Sequence, residues 1–185
     1  MIRPNTRIKF TVKDYMSTPE GTRYQLLDGE MILAPSPTAK HQTIVFRLTK
    51  ALESYITEHS LGRVWLAPLD VVLSYNDVAQ PDIMFVSNER ADIVTEANIQ
   101  GVPDLVVEIL SPATAYYDRG YKQALYGRHE VREYWIVDPG TETVEELTMG
   151  EEGLETRTTY IREQTLTSPL LEGLTVNLEE VFQQD

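Results

Sequence analysis

Hydrophobic and polar positions change their period several times along the chain. Between residues 36 and 62, Ile44, Val45, Leu48, Ala51, Leu52, Tyr55 and Ile56 recur at helical spacing, which predicts an amphipathic helix. Ser36 or Thr38 can cap its start, and Gly62 can end it. Just before it, two apolar runs flank Asp28-Gly29 in RYQLLDGEMILAP, a strong signal for a hairpin. TVKDYMSTP (11–19) reads as a short helix stopped by Pro19. RVWLAPLDVVLS (63–74) predicts one or two strands, and PDIMFVS (81–87) a short buried one. Residues 88–101 are polar and loop-like, with a helical turn. A strand over 104–110 follows. Residues 113–130 then predict a helix whose stripe is Tyr117, Tyr121, Ala124 and Leu125. REYWIVDP (132–139) is another buried strand, and the remainder suggests antiparallel strands before a terminal helix or turn. No internal repeat or linker interrupts the sequence. The pattern predicts one mixed α/β domain over 1–185, with 1–9 peripheral, built on a central sheet flanked by helices.

The segment PDLVVEILSP (103–112) breaks its own pattern. Leu105, Val106, Val107, Ile109 and Leu110 form a nearly continuous apolar run, as expected of a strand covered on both faces. Glu108 sits inside it. An unpaired carboxylate there is costly or stays protonated, so Glu108 needs a cation or an opening to water. Asp82 lies in a second Pro-Asp dipeptide that opens another buried strand. If the two strands are neighbours, the two acids converge at a sheet edge. Magnesium accepts one or two carboxylates, keeps several waters and leaves room for a phosphate oxygen.

Lys122 follows Glu108 by fourteen residues, on the next predicted helix, with Asp118 one turn earlier. Spacing alone is consistent with a surface i,i+4 ion pair, or with a lysine turned toward the acids to orient water or stabilise charge on phosphate. His41 stands at the margin of the first helix stripe, either as a satisfied helix-end histidine or as part of the site. Glu30 opens the second hairpin strand, as a solvated end or an additional carboxylate. Asp104 can simply fix the start of its strand. Arg119 and Lys40 can contact phosphate or solvent, and Arg23 can pair with a nearby acid. The sequence lacks a P-loop, a dinucleotide-binding glycine fingerprint, a His-x-x-x-His pair and a Gly-x-Ser-x-Gly motif.

Composition narrows the classes further. Apolar residues make up 42% of the 185, a globular value. No stretch approaches a membrane span, and no signal peptide is visible. With no cysteine, disulfides, zinc–thiolate sites and thiol nucleophiles are excluded, and a cytoplasmic location is expected. The formal net charge is −13, which argues against a generic nucleic-acid binder. Yet residues 1–50 carry a net +4, whereas 51–139 carry −8 and 140–185 carry −9. A polyanion would approach near the N-terminal third or a small local patch.

Five segments, YQLLDGEMILAPSPTAKHQ, QPDIMFVS, PDLVVEILSP, YKQALYGRHEVREYWIVDP and LTSPLLEGLTVNLEEVF, occur in this order. Together they resemble a bacterial restriction-endonuclease family, numerous in cyanobacteria, within the PD-(D/E)XK nuclease superfamily. The resemblance covers roughly residues 10–182 and implies a restriction-endonuclease-like fold with a central mixed sheet flanked by helices. It implies a magnesium- or manganese-dependent phosphodiesterase acting on DNA, with Asp82 and Glu108 as metal-binding catalytic acids. The motif lysine would stand two residues after Glu108, where this chain has Leu110. Several branches of the superfamily move it to the following helix, which makes Lys122 the replacement. Glu30 and His41 match recurrent polar positions of the family as accessory residues. The resemblance also implies a homodimer, since many nucleases of this fold cut in pairs. Two alternatives stay open: a catalytically silent interaction module on the same fold, and a metal-dependent hydrolase of RNA or nucleotides.

Overall fold

The computed structural model describes residues 9–19, 21–112 and 115–183. Most of the peripheral segment expected over 1–9 lies outside them. Thr11 caps the short helix α1 (Val12–Met16) through a capping box with Asp14. The hairpin forms as expected from β1 (Tyr24–Leu27) and β2 (Glu30–Leu33), with Asp28 at φ 49° and Gly29 at φ 71° in the turn. Positive φ at both central residues suits the twist of the flanking strands. The long helix α2 (Ala39–Glu58) is capped by the Thr38 side chain and buries Ile44, Val45, Leu48, Leu52 and Ile56. It ends before Gly62, contrary to expectation. Ser60 takes the left-handed position at φ 53°, and Gly62 opens the next strand, where a Cβ would lie 2.2 Å from the Val86 carbonyl oxygen.

The region 63–74 divides into β3 (Gly62–Leu66) and β4 (Val71–Ser74), separated by a cis Ala67–Pro68 bond. Strand β5 (Asp77–Ala79) has no sequence counterpart in the expectations, because three residues are too few to show a period. The strands β6 (Ile83–Ser87) and β8 (Leu105–Ile109) bracket a 3-10 turn (Asn88–Ile93) and the two-residue β7 (Ile99–Gln100). A π-helical turn (Tyr117–Lys122) runs directly into α3 (Gln123–Arg128) and then β9 (Glu133–Asp138). Strands β10 (Thr143–Met149), β11 (Leu154–Ile161), β12 (Thr165–Thr167) and β13 (Thr175–Asn177) lead to α4 (Leu178–Phe182).

A six-stranded mixed sheet, ordered β11-β10-β9-β8-β6-β3, forms the centre, beside a five-stranded sheet, β2-β1-β5-β4-β7. One face of the central sheet, with Ile83, Phe85, Leu105, Val107 and Ile109, packs on α2 and α4. The opposite face, with Val106, Leu110, Tyr134 and Ile136, packs on Leu125 and Tyr126 of α3. Strands β8 and β9 are parallel. Parallel neighbours need a crossover, and here the π-helical turn and α3 supply it. The crossover therefore lies across the face toward which alternation directs Glu108. Among the described residues, no helix is long and apolar enough to cross a membrane.

Candidate active site

Strands β6 and β8 are antiparallel neighbours, with Ile83 opposite Val107. Continued by one residue, this register sets Asp82 opposite Glu108 on the same face of the sheet. The Asp82 carboxylate reaches across the strand end: its Oδ2 accepts a 2.7 Å hydrogen bond from the Ile109 N–H. Asp104, at the other end of β8, fixes that strand. It accepts from the Ser87 N–H at 2.8 Å and lies within 3.5 Å of Arg90 and Arg132.

Glu108 is only 3% exposed and Lys122 only 2%. The Lys122 Nζ donates to Glu108 Oε1 at 2.8 Å and lies 2.9 Å from Asp118 Oδ1. The surface ion pair that spacing allowed is therefore a buried one. The phase of the crossover differs from the expected stripe. Asp118, Lys122, Leu125 and Tyr126 are buried, whereas Tyr117 and Tyr121 are half-buried and Ala124 is exposed. Two charged side chains turn inward because their partners are inside, a preference that apolar periodicity does not register. The π-helical turn that carries them is a rare feature, frequent at functional sites.

The electrostatics follow from this burial. Burial lifts the Glu108 carboxyl to about 8, with nearby Asp118 and Asp82 adding to the shift and Lys122 opposing it. Burial works against the charge of Lys122, yet Glu108 and Asp118 hold its ammonium above the ordinary range. Lys122 is thus a cation at neutral pH, not a base. His41 sits in the first turn of α2, with Nε2 at 3.1 Å from the Ile109 carbonyl oxygen and 3.3 Å from Asp82 Oδ2. Burial disfavours its protonation, but the hydrogen bond and charge of Asp82 prevail and raise its pKa.

His41, Asp82, Glu108 and Lys122 line a cavity of about 640 Å³. Its wall includes the segment after β2 (Ala34–Thr38), the cis Ala67–Pro68 turn and Pro139–Gly140, with Arg23 and Lys40 among the cations. Arg23 donates to Ser36 Oγ at 2.6 Å, and among the described residues it meets no acid. Lys40 donates to the Pro139 carbonyl oxygen at 2.6 Å, and Arg119 pairs with Glu145 and Asp138. Glu30 is exposed at the start of β2 and is not among the lining residues. The structure thus brings together Asp82, Glu108, Lys122 and His41, and leaves Glu30 apart. Sequence reasoning missed Tyr126, whose hydroxyl donates to Glu108 Oε1 at 2.8 Å. The signal was available: Asp118, Lys122 and Tyr126 recur every four residues.

Among the described residues, no three His, Cys, Asp or Glu side chains are grouped to hold a metal ion. The donor set of Asp82 and Glu108 nevertheless fits magnesium or manganese, which takes few carboxylates and completes its shell with water. A bound cation would also favour the ionised form of Glu108, whose carboxyl burial otherwise holds protonated up to about 8.

Three comparisons bear on this arrangement. An uncharacterized protein of Synechocystis is 25% identical over 147 residues, covering 75% of this chain and 79% of the relative. The crystal structure of a protein from Anabaena variabilis, described as a putative nuclease belonging to DUF820, superposes with a TM-score of 0.78 at 20% identity, covering 94% of this chain and 97% of that one. At that identity the likeness establishes the fold, a mixed α+β domain with mixed sheets and a few helices shared with that protein. A family model matches residues 12–179, nearly the whole chain, and the chain belongs to the family that model describes, Uma2, "Putative restriction endonuclease".

Proposed function

We propose that the protein is a magnesium- or manganese-dependent endonuclease that hydrolyses DNA phosphodiester bonds by a PD-(D/E)XK-type mechanism. The observation that carries this reading is the opposition of Asp82 and Glu108 across β6 and β8, with the buried Lys122 ammonium on Glu108. Asp82 and Glu108 would hold the ion, which when bound supplies Lewis acidity toward the phosphate. Lys122 donates hydrogen bonds toward the attacking water and offsets the negative charge that grows on the phosphorane-like transition state. Its raised pKa supports that cationic role. Asp118 keeps the lysine in place. His41 restrains the Asp82 carboxylate and the end of β8 through its contacts with Asp82 and Ile109. The absence of cysteine and the family's nuclease character support a cytoplasmic site of action, and a pair of subunits cutting together remains part of the proposal.

The test is nicking of supercoiled plasmid by purified protein with each metal. Activity should vanish in EDTA and fall about a hundredfold or more in Glu108→Ala. No cleavage of duplex or single-stranded DNA with either metal would overturn the reading. One observation favours a second reading, a catalytically silent interaction module: Lys122 is held between two carboxylates in a protein of net charge −13. A folded protein that takes up no manganese at millimolar concentration, measured by calorimetry, selects that module. Cleavage of RNA or nucleotides in preference to DNA selects a different phosphoester substrate for the same site.

A further inference from the structure

Glu108 receives two hydrogen bonds, and both go to one oxygen. The Lys122 ammonium and the Tyr126 hydroxyl each donate to Oε1 at 2.8 Å. Among the described residues no hydrogen bond reaches Oε2. Tyr126 itself is immobilised. It is fully buried on α3, and its ring meets Tyr134 edge to face at 5.2 Å between centroids. The Tyr134 hydroxyl in turn donates to the Asp118 carbonyl oxygen at 3.0 Å. Asp118, Lys122 and Tyr126 therefore form one inward row, four residues apart, braced from β9.

We infer that Tyr126 is a positioning residue: by sharing Oε1 with Lys122 it fixes the rotamer of Glu108 and presents Oε2 to the metal ion. The inference rests on the metal-dependent reading above. Its physical basis is the location of the lysine. A lysine on the same strand as the acid would be set by β geometry alone. A lysine arriving from a helix constrains Glu108 through a single flexible side chain, and one contact leaves the carboxylate free to rotate about it. A second donor, rigid and from the same helical segment, removes that freedom. Ligands restrained before binding lose less entropy when the ion arrives.

Tyr126→Phe keeps the ring and removes only the hydroxyl. The variant should bind manganese about tenfold more weakly by calorimetry, the scale of one hydrogen bond to a charged group. Its nicking should fall at limiting manganese and return to the wild-type kcat at saturating manganese. A hydroxyl that merely satisfied a buried carboxyl would give no such recovery. Equal manganese affinity in the two proteins overturns the inference and leaves the nuclease reading intact, as does a loss of kcat that added metal does not restore. A wild-type protein that binds no manganese overturns the metal reading itself, and this inference with it. If Tyr126→Phe does not fold, wild-type protein labelled with ζ-13C tyrosine decides. Magnesium should shift the Tyr126 resonance, and an unmoved resonance overturns the proposal.

Discussion

A carboxylate inside an apolar strand is the residue-scale feature from which the site follows. Glu108 is tolerated at 3% exposure because Lys122 and Tyr126 satisfy one oxygen and because its carboxyl titrates near 8. In the unfolded chain the same group titrates at its ordinary value of 4.5. Between those two values the folded protein keeps a proton that the unfolded chain has released. By linkage, this contribution to stability is fully present below pH 4.5 and is lost as the pH rises through 8. Chemical denaturation in EDTA should therefore show a component of stability that declines from pH 5 to pH 8. Glu108→Gln, which keeps a neutral acceptor for Lys122 and Tyr126, should lack that component. A wild-type profile that rises over this interval as steeply as the variant's would mean that Glu108 is ionised throughout.

At the scale of elements, the parallel pairing of β8 with β9 does the decisive work. It forces the chain over the sheet, and the crossover delivers Lys122 to Glu108 of β8. Much of this was legible in the sequence. The alternation of Asp104, Val106, Glu108 and Leu110 placed Glu108, and the two Pro-Asp dipeptides identified the neighbouring strands. The α2 stripe and the Asp28-Gly29 turn also matched. The phase of the crossover was not legible, because apolar periodicity favours tyrosines over charged residues and contains nothing about a π-helical turn. Nor was β5, too short to show a period, or the end of α2, where Gly62 is required by a close approach to Val86 instead of a cap. Within the π-helical turn, Gly120 has nothing within 4 Å of an added Cβ. Gly120→Ala should raise stability by about 0.5–1 kcal/mol, the usual helix gain, with unchanged manganese uptake. If alanine instead drew the turn into α-helical register, Lys122 would swing away from Glu108, and weakened manganese binding beside the raised stability would reveal it.

For the whole molecule, charge sets how a nucleic acid can be held. Duplex-binding proteins commonly neutralise about 6–10 phosphates, and their affinity falls steeply with salt. The net charge of −13 opposes binding of that kind, and among the described residues many cations are already paired: Arg119 with Glu145 and Asp138, Arg157 with Glu146, Arg162 with Glu142. Arg23 and Lys40 line the cavity, where they meet hydroxyl and carbonyl oxygens more closely than carboxylates. Affinity of the metal-free protein for DNA should then rest on these two cations and Lys122, with a salt slope of about −2 to −3. Anisotropy of a labelled oligonucleotide with Glu108→Ala protein, measured from low to moderate salt, reads that slope. Replacing Arg23 and Lys40 together by glutamine should weaken binding on all sequences alike and flatten the slope by about 2, roughly one unit for each phosphate that no longer meets a cation. A slope as steep as that of the duplex binders, or one unaltered by the double replacement, would place the nucleic acid on another face of the protein and separate binding from the cavity.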